Sequence, residues 1–283
     1  NACLEYEGIT IQDIDYITIS RDTNANFYAK VKYALQHRLS IETIKDRFLN
    51  ARKVKSVKYQ IANMVNMKAS QIKAEIYNVE HHRSHIASSF FASGFKESAL
   101  LSLDGFGDFT STMTAVGIDN RINVLNSLNY PDSLGVFYTA VTQFLGFPRY
   151  GDEYKVMGLA PYGEAKYMKE LSEILLKKED GFFKLNKKYF QHIKKGVAMN
   201  WEGEPMIESL FTEEWEQLFG TSRKEGEEIE KKHINLATSV QRFTEDIIFH
   251  VLNKLHEKTG MTNICIAGGV AQNSVANGKI LQN

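Results

Sequence analysis

An apolar run from Ser98 to Leu103 stops abruptly at Asp104-Gly105-Phe106-Gly107-Asp108 and gives way to the hydroxyl-rich stretch Phe109–Gly117. A short continuous apolar run bounded by turn residues reads as a buried strand. The pattern predicts strands over 98–104 and 109–117, a glycine turn between two acids, and a third strand over Arg121–Leu128. Connections this short make antiparallel neighbours. Asp104, at a strand end, is placed to hold a metal or its water. Gly105 and Gly107 permit positive φ and close approach of a phosphate, and a strand–glycine–strand unit presents backbone N–H groups to such an anion. An ordinary hairpin turn accounts for the same residues.

Upstream, a short strand over Ala74–Val79 leads to His81 and His85. Positions i and i+4 of a helix share a face, so two imidazoles there can bind one divalent metal, with Glu80 or Asp104 as a further donor. The same spacing also serves packing or capping. Downstream, a buried strand over Asn263–Ala267 meets Gly268-Gly269-Val270-Ala271-Gln272-Asn273 and turns into a final helix. Such a junction aims helix-terminal N–H groups at a ligand, as nucleotide sites do. Close helix–strand packing is the other use of paired glycines.

Between these stretches, Asp132 or Ser133 caps a helix over Leu134–Leu145, with Phe137, Tyr138 and Phe144 at core positions. In the segment Tyr150–Gly163, Glu153 and Lys155 read either as an ion pair at a helix start or as ligand contacts. Residues 164–233 read as peripheral: amphipathic helices, a polar hairpin near Phe182–Lys188, and a charged run over Arg223–Lys232. A long amphipathic helix follows over 234–258, with Leu236, Val240, Phe243, Ile247 and Val251 on one face. At the other end, residues 1–8 read as a helix end stopped by Gly8, Ile14–Ser20 as a strand, and 26–72 as helical and basic. Arg52, Lys53, Lys55, Lys58 and Lys68 supply that charge. They read as a solvated helix face or as a surface for an anionic ligand or partner domain.

Lys+Arg and Asp+Glu both number 34, so no field of one sign points to nucleic acid or to an anionic membrane. No apolar run reaches the length of a membrane-crossing helix, and no secretory leader is expected. Two cysteines, Cys3 and Cys265, far apart, fit a reducing cytoplasm better than a disulfide framework. Both ends fall inside helical patterns and there is no initiator Met, so a piece of a longer protein is expected.

Six blocks in order, VEHHRSHIASSFFASGF (79–95), SLDGFGDFTST (102–112), SLGVFYTAVTQFLGF (133–147), GDEYKVMGLAPYG (151–163), ATSVQRFTEDIIFHV (237–251) and IAGGVAQNSVANGKI (266–280), resemble the bacterial carbamoyltransferases of the nodulation protein U and antibiotic O-carbamoyltransferase type. They span about two-thirds of the chain, an ordered set far more specific than any single motif. The resemblance implies an α/β fold of two ribonuclease-H-like lobes, as in the actin, sugar kinase and acetate kinase superfamily. The first would be 1–128, lacking its opening strands. The second would be 129–283, with a helical insertion around 164–233. It further implies that His81 and His85 bind iron (Fe2+) or another divalent metal. Asp104, Gly105, Gly107, Gly135, Glu153, Lys155, Gly268, Gly269 and Asn273 would line a nucleotide site for ATP with Mg2+, with Asp104 and Lys155 catalytic.

The implied reaction makes carbamoyl adenylate from carbamoyl phosphate and ATP in a smaller second domain. The carbamoyl group then passes to a hydroxyl of a saccharide or antibiotic-like acceptor. Family members can form dimers, so a homodimer is among the expected assemblies. Three parts of the family pattern fall outside 1–283: an opening strand with a glycine–aspartate loop, an aspartate serving as third metal ligand, and the activating domain. Alone, these residues are therefore expected not to turn over. Three other readings stand beside this one. The related tRNA threonylcarbamoyladenosine-type transferase has an SGG-like loop where this chain has Asp104-Gly105-Phe106-Gly107. A sugar-kinase-like phosphotransferase leaves the histidine pair unexplained. The last is a nucleotide-binding scaffold without catalysis.

Overall fold

The computed structural model describes residues 2–37, 57–197, 199–201 and 205–282. The chain divides into two compact units, Asn1–Ser84 with Gly107–Phe109, and His85–Phe106 with Thr110–Asn283. In the first unit, α1 (Ala2–Glu7) ends at Gly8, whose φ of +65° suits a residue without a Cβ. Strand β1 (Tyr16–Ile19) is followed by α2 (Phe27–His37), α3 (Val57–Met64) and β2 (Glu75–Asn78). The two strands pair in parallel, from Tyr16 opposite Glu75 to Ile19 opposite Asn78, as a connection through helices allows. Ala62, Ile72 and Ala74 make a small core against Ile11, Ile14 and Ile17. Of the basic residues read in 26–72, Arg52, Lys53 and Lys55 lie outside the described residues.

The second unit is built on one mixed sheet. Strands β3 (Glu97–Gly107), β4 (Thr110–Ile118) and β5 (Arg121–Asn129) form a meander. A later strand, β10 (Ile264–Ala267), lies on the far side of β3, parallel to it, with Ile264 opposite Ala99 and Ala267 opposite Ser102. Before it in the chain come α5 (Leu134–Phe144), α6 (Glu153–Leu159), α7 (Met168–Ile174), the hairpin β6 (Leu175–Lys177) and β7 (Phe183–Leu185), and α8 (His192–Lys195). The hairpin β8 (Met199–Trp201) and β9 (Pro205–Ile207), α9 (Glu214–Phe219) and the long helix α10 (Lys231–Thr259) follow. The pairing of β10 with β3 puts residues from either side of position 128 into one sheet. The contact units are therefore cut elsewhere than at 128/129, because a parallel partner this distant in sequence leaves no mark in local patterning.

The glycine turn differs from its sequence reading. Strand β3 runs unbroken through Asp104, Gly105, Phe106 and Gly107. The reversal is made by Asp108 and Phe109, at φ +49° and +83°, and not by Gly105 or Gly107. Two central residues with positive φ give the twist that a two-residue hairpin needs. A phenylalanine there is strained, and two contacts within the first unit hold it. The Phe109 ring meets that of Tyr33 at 5.8 Å, and Asn26 Nδ2 donates to the Asp108 carbonyl at 3.0 Å.

One large core joins β3, α5 and α10. Phe137, Val141 and Phe144 of α5 are buried with Leu236, Val240, Phe243, Ile247 and Val251 of α10, the stripe that the periodicity predicts. The segment 164–233, read as peripheral, is part of this core. Trp215 is fully buried, with Phe144, Phe190 and Phe219 at ring distances of 5.7, 6.0 and 5.8 Å, and its Nε1 donates to the Tyr189 carbonyl at 2.8 Å. The elements there are three to seven residues long, too short for periodicity to declare a buried face. The polar hairpin near Phe182–Lys188 is the second half of β6–β7, and Phe183 and Leu185 both point inward. Among the described residues no helix is long and apolar enough to cross a membrane.

Phe106 is held by a further aromatic group in the second unit. Its ring meets those of Tyr130 at 4.9 Å and His192 at 6.1 Å, the Tyr130 hydroxyl donates to the His192 carbonyl, and His192 Nε2 lies 2.9 Å from the Pro131 carbonyl. Burial holds the His192 imidazole below its ordinary value, against a smaller upward pull from the Pro131 carbonyl.

Two outcomes are expected. Trp215→Ala costs about 3–5 kcal/mol, the range for deleting a buried large aromatic, read from the urea midpoint. His192 favours the folded state fully above its unfolded value of about 6.5, and this contribution is lost as pH falls through the lower folded value. Wild type therefore loses urea stability relative to His192→Gln between pH 7.5 and 5, and a pH-independent difference contradicts this.

Candidate active site

Strand β3 is buried from Ser98 to Leu103 and half-buried from Asp104 onward, so the first carboxylate of the run emerges where the apolar stretch ends. Asp104 Oδ1 accepts the Gly105 N–H at 2.7 Å, and Oδ2 lies 3.0 Å from His85 Nε2. The backbone around Asp104 is enclosed by three glycines that have no room for a side chain. A Cβ on Gly268 would stand 2.2 Å from the Leu103 carbonyl oxygen, one on Gly269 2.8 Å from Asp104 Oδ1, and one on Gly135 2.8 Å from Gly105 Cα. Gly268 also adopts φ +101°. Both uses of the paired glycines, close packing and a turn beside a carboxylate, hold at once.

Ser133, missed as more than a cap, ties these parts together. Its Oγ donates to the Gly105 carbonyl at 2.7 Å and accepts the Val136 N–H at 3.1 Å, capping α5. Asp104, Gly105, Gly135, Gly268 and Gly269 thus form one neighbourhood in which a helix N-terminus and a glycine turn meet strand β3.

Helix α4 (His81–Ser93) carries the histidines. The unit boundary falls within this helix, whose own hydrogen bonds keep His81 and His85 one turn apart on one face. His85 Nε2 stands 3.0 Å from Asp104 Oδ2, and His81 precedes His85 by one turn of the same helix. Two imidazoles and a carboxylate are a donor set suited to a borderline divalent ion such as Fe2+ or Zn2+. His81 Nδ1 faces the Ser20 carbonyl at 3.2 Å. With Nδ1–H donating there, the lone pair is on Nε2, the tautomer that a ligating histidine needs.

Gly107 and Asp108 serve this helix. A Cβ on Gly107 would fall 2.0 Å from His81 Cδ2, so the glycine makes room for the imidazole. Asp108 Oδ2 accepts the His81 N–H at 3.0 Å and the Asp22 N–H at 2.6 Å, a carboxylate at the positive end of a helix. Glu80 caps the same end, its Oε2 accepting the Arg83 N–H at 2.8 Å, and burial pushes its carboxyl above the ordinary range.

The remaining residues sit at a second cluster. Lys155 Nζ pairs with Asp152 at 2.6 Å, not with Glu153, and lies over the Phe147 and Tyr154 rings at 5.4 and 5.9 Å. Glu153 accepts from Thr139 Oγ1 at 2.6 Å and docks α6 on α5. The final helix is short, α11 (Ser274–Asn277), with Asn273 as its cap: Oδ1 accepts the Ala276 N–H at 3.0 Å. Ser274 Oγ lies 3.7 Å from Met157 Sδ, so α6 and the glycine turn are neighbours.

A family model described as carbamoyltransferase N-terminus matches residues 1–283. Among curated proteins, the uncharacterized protein sll1178 of Synechocystis sp. is 33% identical over 302 residues, covering 100% of this chain and 45% of that protein. Nodulation protein NolNO of Sinorhizobium fredii is 32% identical over 287 residues, covering 99% and 37%. Nodulation protein NolO of Bradyrhizobium diazoefficiens is 34% identical over 206 residues, covering 72% and 33%. The chain spans less than half the length of each of these relatives.

Gly107→Ala is expected to displace the His81 ring and, where that imidazole serves as a metal ligand, to weaken divalent-metal binding about tenfold or more, as loss of ligand orientation does. Titration with Fe2+ or Zn2+ measures this, and unchanged affinity in a folded variant contradicts it.

Proposed function

Because this chain belongs to the carbamoyltransferase family, we propose that it carries the site at which a carbamoyl group passes from carbamoyl adenylate to an acceptor hydroxyl. The observation that carries the reading is the convergence on Asp104 of the histidine helix and the glycine turn. His81, His85 and Asp104 would hold a divalent metal, iron first among the candidates. When bound there, such an ion polarises a carbamoyl carbonyl, a poor electrophile because its carbon is fed by the amide nitrogen.

The chain's own groups do the rest. The Gly268–Gly269 turn and the capped start of α5 stand beside Leu103–Gly105, where the adenylate phosphate is expected and where backbone N–H groups would receive it. Lys155, held by Asp152 and two rings, supplies positive charge to the same nucleotide. The acceptor oxygen attacks the carbamoyl carbon, the carbon–oxygen bond to the phosphate breaks, AMP leaves, and the hydroxyl proton passes to a base. Carbamoyl phosphate and ATP with Mg2+ supply the adenylate, releasing pyrophosphate, in the part of the protein outside 1–283. The acceptor is read as a saccharide or antibiotic-like alcohol. The meander with a parallel fourth strand is compatible with ribonuclease-H-like lobes of the actin and sugar kinase superfamily.

Pyrophosphate exchange into ATP that requires carbamoyl phosphate is expected of the full-length protein. No exchange in folded, iron-loaded protein sinks the reading. His81→Ala and His85→Ala are each expected to lower iron content, and full iron occupancy in both variants overturns the metal assignment.

A further inference from the structure

The inner face of α10 carries polar side chains where its period calls for apolar ones. Gln241 and Glu245 lie one turn apart and are 3% and 5% exposed. Gln241 Oε1 accepts from the Tyr138 hydroxyl at 3.1 Å and from Asn273 Nδ2 at 2.9 Å. Its Nε2 donates to Asn273 Oδ1 and to Glu245 Oε1, both at 2.9 Å. Glu245 Oε2 in turn receives Lys279 Nζ at 2.7 Å.

A carboxamide has two donor hydrogens and two acceptor lone pairs, and Gln241 uses all four. Burying these groups is costly unless every one is bonded, and leucine or methionine would fill the position more cheaply. What the network adds is a fixed geometry. Its target is Asn273, the last residue of the glycine turn, whose Oδ1 also caps α11. At the start of that turn, Gly268 and Gly269 stand against Leu103 and Asp104 with no spare room. The turn is thus pinned at one end by backbone contact with β3 and at the other by a reciprocal pair of amide hydrogen bonds to α10.

We propose that Gln241 is a positioning residue that acts through Asn273, setting the Gly268–Asn273 turn against Asp104 and so the affinity of the phosphate-binding subsite. It does not touch the nucleotide. Asn273 Oδ1 already accepts from Gln241 Nε2 and the Ala276 N–H, and Nδ2 donates to Gln241 Oε1, so the ligand is taken to meet the turn through backbone N–H groups. Tyr138 holds Gln241 from the α5 side, and the Glu245–Lys279 pair ties the segment after α11 to the same helix. This inference rests on the reading of the turn as nucleotide-holding.

The test compares wild type, Gln241→Met, Asn273→Ala and the double variant in the full-length protein. The dissociation constant for ATP with Mg2+ is measured by calorimetry well below each unfolding midpoint. Loss of the amide pair is expected to weaken binding about tenfold in each single variant, with the double variant no weaker than the worse single one. Backbone amides of residues 268–277 should exchange with deuterium faster in Gln241→Met while those of β3 and β4 do not change. A folded Gln241→Met with wild-type affinity and wild-type exchange overturns the proposal, even if its unfolding midpoint drops. Wild-type protein that binds no nucleotide refutes the functional reading instead, and the exchange comparison then decides this inference alone. If Gln241→Met does not fold, Tyr138→Phe, which removes one bond to Gln241, should show the same loosening of 268–277, and its absence overturns the proposal.

Discussion

Everything in the second unit that bears on chemistry depends on how closely three backbones approach at Leu103–Gly105. Strand β3, the turn after β10 and the start of α5 meet there at distances that admit hydrogen atoms only. No side chain can be interposed, so the parts must be glycine, and the spare volume is left to the Asp104 carboxylate. Main-chain contact of this kind is stiffer than side-chain packing, because there are no rotamers to absorb a displacement. The histidines, the capping serine and the amides of the turn can therefore share one reference point.

That reference point is paired with polar order in the core. Tyr138, Gln241, Asn273, Glu245 and Lys279 form a connected network of hydrogen bonds beside the large apolar and aromatic cluster of the second unit. Apolar packing alone tolerates sliding of a helix by a fraction of a turn, whereas a carboxamide with four partners has one satisfactory position. Helix α10 thus contributes bulk through Leu236, Val240 and Ile247 and register through Gln241.

Much of this was legible in the sequence. Strand β3, helix α5, the stripe on α10 and the histidine pair follow from period, cap and spacing, since each depends on residues within a few positions of one another. The turn at Asp108 and Phe109 was not legible, because neither residue is the glycine that a positive φ suggests, and the strain is borne by Tyr33 and Asn26 far away in the chain. Trp215 and Phe183 could not be placed in the core because their elements, six and three residues long, are too short for a repeating apolar pattern to show. Asp152 as the partner of Lys155, and Gln241 as the partner of Asn273, are choices among several nearby polar groups that only packing makes.

The parallel pairing of β10 with β3 has a kinetic consequence. The Asn263 side chain donates to the Glu97 carbonyl across 166 residues of sequence, and the backbone pairs beside it are as remote. During synthesis the meander β3–β5 leaves the ribosome long before its fourth strand, by roughly 10–30 seconds at ordinary elongation rates. Until then the far edge of β3 has open hydrogen-bonding groups and Asp104 lacks the glycine turn. Closure of so large a loop is slow and comes late. The carboxylate that anchors the site is thus among the first of its parts to be made and among the last to be completed, and its exposed strand edge in the interval is where a nascent chain would be most in need of a chaperone.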